Sequence, residues 1–127
     1  MGSFTNYMEK AVLNAIGGNG APVASMSLWM GLFTAAPSDA SGGTEVSGGN
    51  YARKPVGTWV TASVIGSGVG FSNATDTVFN TATGVWGAVT HFAHFDDSET
   101  GNMIMWASLT IPQTVVTNSI PIFNATE

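Results

Sequence analysis

After Ser25 the chain shows no helical periodicity, only short apolar runs cut apart by clusters of glycine, serine, asparagine and aspartate. That pattern constrains the fold more than any other feature. Runs of about four to eight residues bounded by turn formers read as strands. Parallel neighbours in a sheet need long, usually helical crossovers, and no segment here supplies them. The expected fold is therefore mainly β: an antiparallel β-sandwich, jelly-roll-like, with one N-terminal helix.

That helix is readable because Phe4, Tyr7, Met8, Ala11, Val12, Ala15 and Ile16 fall at helical spacing. The spacing predicts a helix over about 6–16. Asn6 followed by Glu9 fits a capped N-terminus, and Gly17 with Gly18 offers the left-handed turn that ends helices. The apolar stripe is narrow and needs a surface to lie on, its own sheet or a neighbouring subunit.

Strands are expected from about residue 25 onward. Met26 to Phe33 reads as a mostly buried strand that stops at Ala36-Pro37-Ser38-Asp39, and Ser41 to Asn50 as a glycine-rich loop. Arg53 to Ile65 carries β-branched residues and Trp59, and Gly66-Ser67-Gly68 turns the chain into a run through Val69 and Phe71. Thr77 to Phe79 is short. Val85 to Phe95 alternates well, with Trp86, Val89, Phe92 and Phe95 as apolar anchors, and Asp96 to Asn102 turns it back into Met103 to Leu109. A last stretch, Thr114 to Phe123, contains Pro121, which belongs on a sheet edge or strand end. No linker or repeat divides residues 1–127, which read as one domain.

Composition narrows the function. Hydrophobic residues make up 44% of the 127, enough for a real core, while charged residues make up 9% against about 25% in ordinary soluble proteins. A surface so poor in charge is expected to be covered in large part by partner chains, and self-association is its usual consequence. The net charge is −5, with Lys10, Arg53 and Lys54 as the permanent cations. Nucleic-acid binding needs clustered positive charge, so it is not expected, and neither is attachment to an anionic membrane. There is no cysteine and no apolar run long enough to span a bilayer. Met1 to Lys10 is too polar for a signal peptide, so the expected history is synthesis and assembly in the cytoplasm. The sequons at Asn73 and Asn124 are then chance matches.

Catalytic and metal chemistry is hard to place. His91 and His94 are three apart on an expected strand and so point to opposite faces. Asp96-Asp97-Ser98-Glu99-Thr100-Gly101 has oxygen side chains before a glycine, but a calcium loop of the EF-hand type needs an acid at its twelfth place, which is Ala107. The carboxylates Asp39, Glu45, Asp76, Asp96, Asp97 and Glu99 all sit in expected loops, with no sign of the buried setting that raises an acid's pKa. Gly66-Ser67-Gly68 is neither a nucleophile elbow nor a phosphate loop. The expectation is a non-enzyme without cofactor or metal, whose aromatic residues are mostly core.

Several segments resemble a family of small bacteriophage virion proteins often labelled tail fibre proteins. They are Phe4-Thr5-Asn6-Tyr7, Leu32 to Asp39, Gly43 to Arg53, Thr81 to Phe92, Phe95-Asp96 and Ala107 to Val115. His94 stands where a small or apolar residue is expected, and Lys54-Pro55 is an unusual continuation. The resemblance implies a virion structural protein without catalytic residues, assembled in the host cytoplasm. For a chain this short and this poor in charge, the expected role is a capsid cement or decoration protein that stabilises the head, as a homotrimer packed on the major capsid protein or other virion proteins. The alternative is a tail fibre or tail-associated adhesin binding host surface glycan, with Trp59 or Trp86 exposed. The expected interface comprises Phe4, Tyr7, Met8 and Val12 on the helix side and Glu45, Tyr51, Arg53 and Lys54 on the loop side. Arg53 and Lys54 are candidates to pair with acidic partner residues.

Overall fold

A computed structural model describes residues 3–20, 26–57, 63–65, 68–70 and 75–123. In chain order the elements are β1 (Ser3–Phe4), α1 (Asn6–Ile16), β2 (Trp29–Ala35), β3 (Thr44–Glu45), β4 (Lys54–Pro55), β5 (Ser63–Ile65), β6 (Gly68–Gly70), β7 (Thr77–Val78), β8 (Gly87–Phe95), β9 (Met103–Val115) and β10 (Ile122–Phe123). Every pairing is antiparallel. The expected class, mainly β with one short N-terminal helix, is what the chain forms. The main sheet has six strands in the order β1-β9-β8-β2-β3, and β4 pairs with β2 on the same edge as β3, further along it. Two two-stranded sheets, β7 with β10 and β5 with β6, complete the set.

β2 explains why its sequence is a continuous apolar run and not an alternating one. Met30 and Leu32 face the main core, which also holds Leu28, Val89, Ile104, Val115 and Phe123, while Phe33 faces a second cluster with Ala93, Phe95 and Met103. A strand buried on both faces has no position left for polar residues. The main core is closed by Met8 and Val12 of α1 on one side and by Phe79, Ala82, Trp86 and Phe123 around β7 and β10 on the other.

The helix has the expected bounds, but its cap lies one residue earlier than Asn6. The Thr5 hydroxyl accepts from the Met8 N–H at 3.5 Å and donates to the Met103 carbonyl, and the Thr5 N–H donates to Ile104 O at 3.0 Å. Thr5 therefore ends β1's ladder against β9 and begins α1 at once. At the other end, Gly18 takes φ +72° and Asn19 N–H reaches back to Asn14 O at 2.9 Å, closing the last turn.

Several strand boundaries differ from expectation: β2 covers Trp29–Ala35 and not Met26 to Phe33, β3 falls inside the expected loop from Ser41 to Asn50, and β8 begins at Gly87 and not at Val85. β9 runs on past Leu109 to Val115 and includes Pro112, and only Ile122–Phe123 of the last stretch is strand, Thr114 and Val115 belonging to β9. Proline is tolerated in β9 because the register breaks there. β8 advances from Val89 to His91 while β9 runs from Gln113 to Ser108, so β9 bulges opposite Thr90. Among the described strands β9's outer neighbour is β1, paired only at Met105 and Trp106, which leaves the edge beyond them open. Trp59, Gly66, Ser67 and Phe71 lie outside the described residues.

Candidate functional site

The side chains that the sequence marks out on the loop side meet at the edge of the main sheet. β3 and β4 both pair with β2 but leave a gap between them, opposite Gly31 and Leu32. Tyr51 fills it: its hydroxyl accepts from the Leu32 N–H at 2.9 Å and donates to Glu45 Oε1 at 2.8 Å. Arg53 grips the same carboxylate with both arms, Nε to Oε1 and Nη2 to Oε2, each at 2.8 Å. Its remaining nitrogen, Nη1, donates to the carbonyls of Thr100 at 2.7 Å and Asp97 at 3.3 Å. Such a two-pronged arginine–carboxylate pair is directional and strong.

Burial sets the electrostatics of this cluster. The Arg53 side chain is 9% exposed and that of Glu45 26%. Burial first, and then the Glu45 carboxylate, push the Tyr51 phenol far above its ordinary pKa, so it stays a neutral donor. Gly31 makes the cluster fit: a Cβ there would lie 2.9 Å from Glu45 Oε1 and 3.1 Å from Phe95 Cε2. Every nitrogen of the Arg53 guanidinium is engaged within the chain, and the cation ties β3 to the β8–β9 turn.

That turn, residues 96–102, is closed on itself. Asp97 Oδ1 accepts from the N–H groups of Glu99 at 2.9 Å and Thr100 at 3.0 Å, which hold its carboxyl below the usual range, and Asp96 Oδ1 accepts from the Asn102 N–H at 2.6 Å. The two histidines separate as strand geometry requires. His91 lies opposite Phe33 and Ser108, whereas His94 lies opposite Met30 and Met105 on the core face, 4% exposed. Burial lowers the His94 pKa to about 4, so it is neutral at pH 7. Among the described residues no group of three histidine, aspartate or glutamate side chains comes together to hold a metal ion.

Most of the described aromatic residues belong to the core, Phe4 and Tyr7 being exposed. Trp86 is 6% exposed, donates Nε1–H to Gly49 O at 2.8 Å and sets its ring edge-on to Tyr51 at 5.3 Å. It is not available as a stacking platform for sugars. Gly49, at φ +55°, admits this contact because a Cβ would sit 2.8 Å from the indole nitrogen. Beside the Arg53 cluster lie two adjoining open clefts. One of about 260 Å³ is lined by Asn6, Tyr7, Asp39 and Asn102, and one of about 340 Å³ by Phe33, Glu45, Arg53 and Phe95, with Ser41, Gly101 and Met103 shared.

On the helix side, Met8 is buried against the sheet and Val12 half-buried, whereas Phe4 and Tyr7 remain exposed. Lys54 is half-buried in β4, opposite Met30. A further apolar surface is absent from the residues singled out by sequence: Val78, Ile120 and Ile122 are exposed around β7 and β10. Its sequence signal is the alternation Ile120-Pro121-Ile122-Phe123, in a stretch whose Pro121 points to a sheet edge or a strand end. No helix of the described residues is long and apolar enough to cross a membrane.

Among curated proteins none matches the chain. A family model described as podophage GP4 fiber I protein gp80 matches residues 3–127. This match takes in nearly the whole length, including β1 and the caps of α1, the Glu45–Tyr51–Arg53 cluster and the β8–β9 pair. The chain belongs to the podophage GP4 fiber I protein gp80 family, and so to the structural proteins of the phage virion.

Proposed function

We propose that this chain is a non-enzymatic building unit of the phage fibre, held in place by protein–protein packing. The family match along residues 3–127 carries the reading. The side chains support it as well. The charged and hydroxyl groups most suggestive of chemistry are bonded to one another within the chain, while aliphatic side chains such as Leu13, Ile16, Val78 and Ile122 face outward. That distribution suits a subunit built to be packed against. Its partners on this reading are further copies of itself, a trimer being the expected stoichiometry, and other virion proteins.

The capsid cement role expected from size and charge has no comparable support, because the family is described by a fibre protein and not by a head protein. Glycan binding through Trp86 is likewise unsupported, given its burial. Labelled-antibody electron microscopy of purified particles, with copy number from quantitative gels, tests the proposal. A few copies per particle confined to the fibres are expected. Hundreds of copies spread over the head would overturn the reading in favour of a cement.

A further inference from the structure

The end of α1 is closed by a motif that engages two N–H groups and stops there. Gly18, at φ +72°, donates to Ala15 O at 3.3 Å, and Asn19 donates to Asn14 O at 2.9 Å. This is the Schellman arrangement, in which the two residues after the cap reach back over the last turn. The next N–H, that of Gly20, bonds to no acceptor among the described residues, and neither does the Asn19 side-chain amide. Asn19 and Gly20 are both exposed.

Packing calls for glycine at position 20. A Cβ there would lie 3.2 Å from the Asn14 Cβ, closer than ordinary van der Waals contact. The fold thus sets an unshielded, unbonded backbone nitrogen directly after an asparagine whose amide no bond restrains. No other asparagine in the sequence precedes a glycine. After Asn50 and Asn118 the following N–H is held, Tyr51 to Gly48 O at 2.9 Å and Ser119 to Val116 O at 3.0 Å. A nitrogen committed to a hydrogen bond or crowded by a side chain is a poor nucleophile.

We propose that Asn19 is a site of spontaneous modification, at which the side-chain amide becomes a carboxylate in the folded chain. The Gly20 nitrogen gives its proton to hydroxide and attacks Asn19 Cγ. An N–Cγ bond forms, the Cγ–Nδ2 bond breaks, and ammonia leaves with a proton taken from water. Water then opens the five-membered succinimide at either carbonyl, giving aspartate or isoaspartate at position 19. No oxidant and no enzyme takes part. Each event adds one negative charge to a net charge of −5. The charge arrives over the end of α1, where a Cβ on Gly17 would lie 3.3 Å from both Asn19 Nδ2 and the Leu13 carbonyl oxygen. The last turn holds no basic residue, and the helix dipole opposes a negative charge there. The inference goes beyond the packing role and concerns the isolated chain, wherever in the particle it sits.

The test holds purified full-length protein near pH 8 at physiological temperature, with a parallel sample in concentrated urea. Trypsin, cutting at Lys10 and Arg53, isolates residues 11–53, and fragment mass spectra locate each exchange of amide for acid. Conversion at Asn19 is expected at least about tenfold faster than at Asn14, Asn50 or Asn118. It should rise with pH, include isoaspartate, and run in the native sample within about threefold of its rate in urea. Asn19→Gln should abolish the early conversion. Asn19→Asp should unfold at a lower urea concentration than Asn19→Ser. The proposal is overturned if Asn19 stays intact in the native sample while the urea sample reacts, or if another asparagine converts as fast. Equal unfolding midpoints for Asn19→Asp and Asn19→Ser would overturn the effect assigned to the new charge on α1.

Discussion

The Arg53 guanidinium lies 3.4 Å from the centre of the Phe95 ring while the same group holds the Glu45 carboxylate. One side chain thereby ties the short strand β3, the end of β8 and the turn that follows it. Cation–ring contacts strengthen as water is removed, and Arg53 is almost wholly buried. Arg53→Ala leaves Glu45 without its cation and the Thr100 carbonyl without its Arg53 donor, and is expected to cost about 2–3 kcal/mol. Arg53→Lys should recover less than half of that, because an ammonium cannot make the two-pronged pair. Urea unfolding of the three proteins checks both statements.

Gly31 is set so close to the same cluster that any side chain overpacks it. Its backbone needs no special conformation; the space is what is missing. Gly31→Ala is expected to destabilise by about 1–3 kcal/mol, and the thermal midpoint of unfolding measures it. An unchanged midpoint would show that Glu45 and Phe95 can give way.

His94 introduces an acid-sensitive term. Its pKa is about 4 in the folded chain against 6.5 for the free side chain, so below pH 6.5 the unfolded chain binds the proton first. The stability associated with neutral His94 is complete above pH 6.5 and is lost as pH falls toward 4, by on the order of 3 kcal/mol in all. Urea unfolding from pH 7.5 to 4 should show this slope, and His94→Leu should flatten it. Equal slopes in the two proteins would mean that the carboxylates govern the acid response.

Thr5 joins β1 to α1 through a side chain that bonds in both directions. Thr5→Ala removes the cap on Met8 N–H and the donor to Met103 O, with an expected cost of about 1–2 kcal/mol. Thr5→Ser retains both groups and should stay within about 0.5 kcal/mol of the parent. Chemical denaturation of the pair separates the hydroxyl's contribution from that of the methyl group.

The elements that could be read from sequence are those whose signal is local. The periodicity from Phe4 to Ile16 describes α1 because Met8 and Val12 do dock on the sheet, and the run from Met26 to Phe33 announces β2, three residues early, because both faces of that strand are covered. The full length of β9 is not legible locally: Leu109 to Val115 includes Pro112, which a strand tolerates only because of the bulge opposite Thr90 and the open edge. The Arg53 cluster was half legible. Glu45, Tyr51 and Arg53 stand out in the sequence as loop-side interface candidates, but the gap between β3 and β4 that draws them together depends on where two-residue strands land along β2. His94 looked out of place in the sequence for a physical reason, since its position belongs to the core face beside Met30 and Met105.

The bulge around Pro112 bears on how such a chain would behave in a crowd. Wherever copies of a β-protein come close, a long, straight, unguarded margin lets one zip onto another through its main chain, the route by which β-proteins turn into insoluble fibrils. β9 is the longest of the described strands, and it is interrupted by a residue that has no N–H to give and by the break in register opposite Thr90. Main-chain zipping along that open margin is thereby broken off at Pro112, and contact with any neighbour there would fall to side chains, which choose a partner.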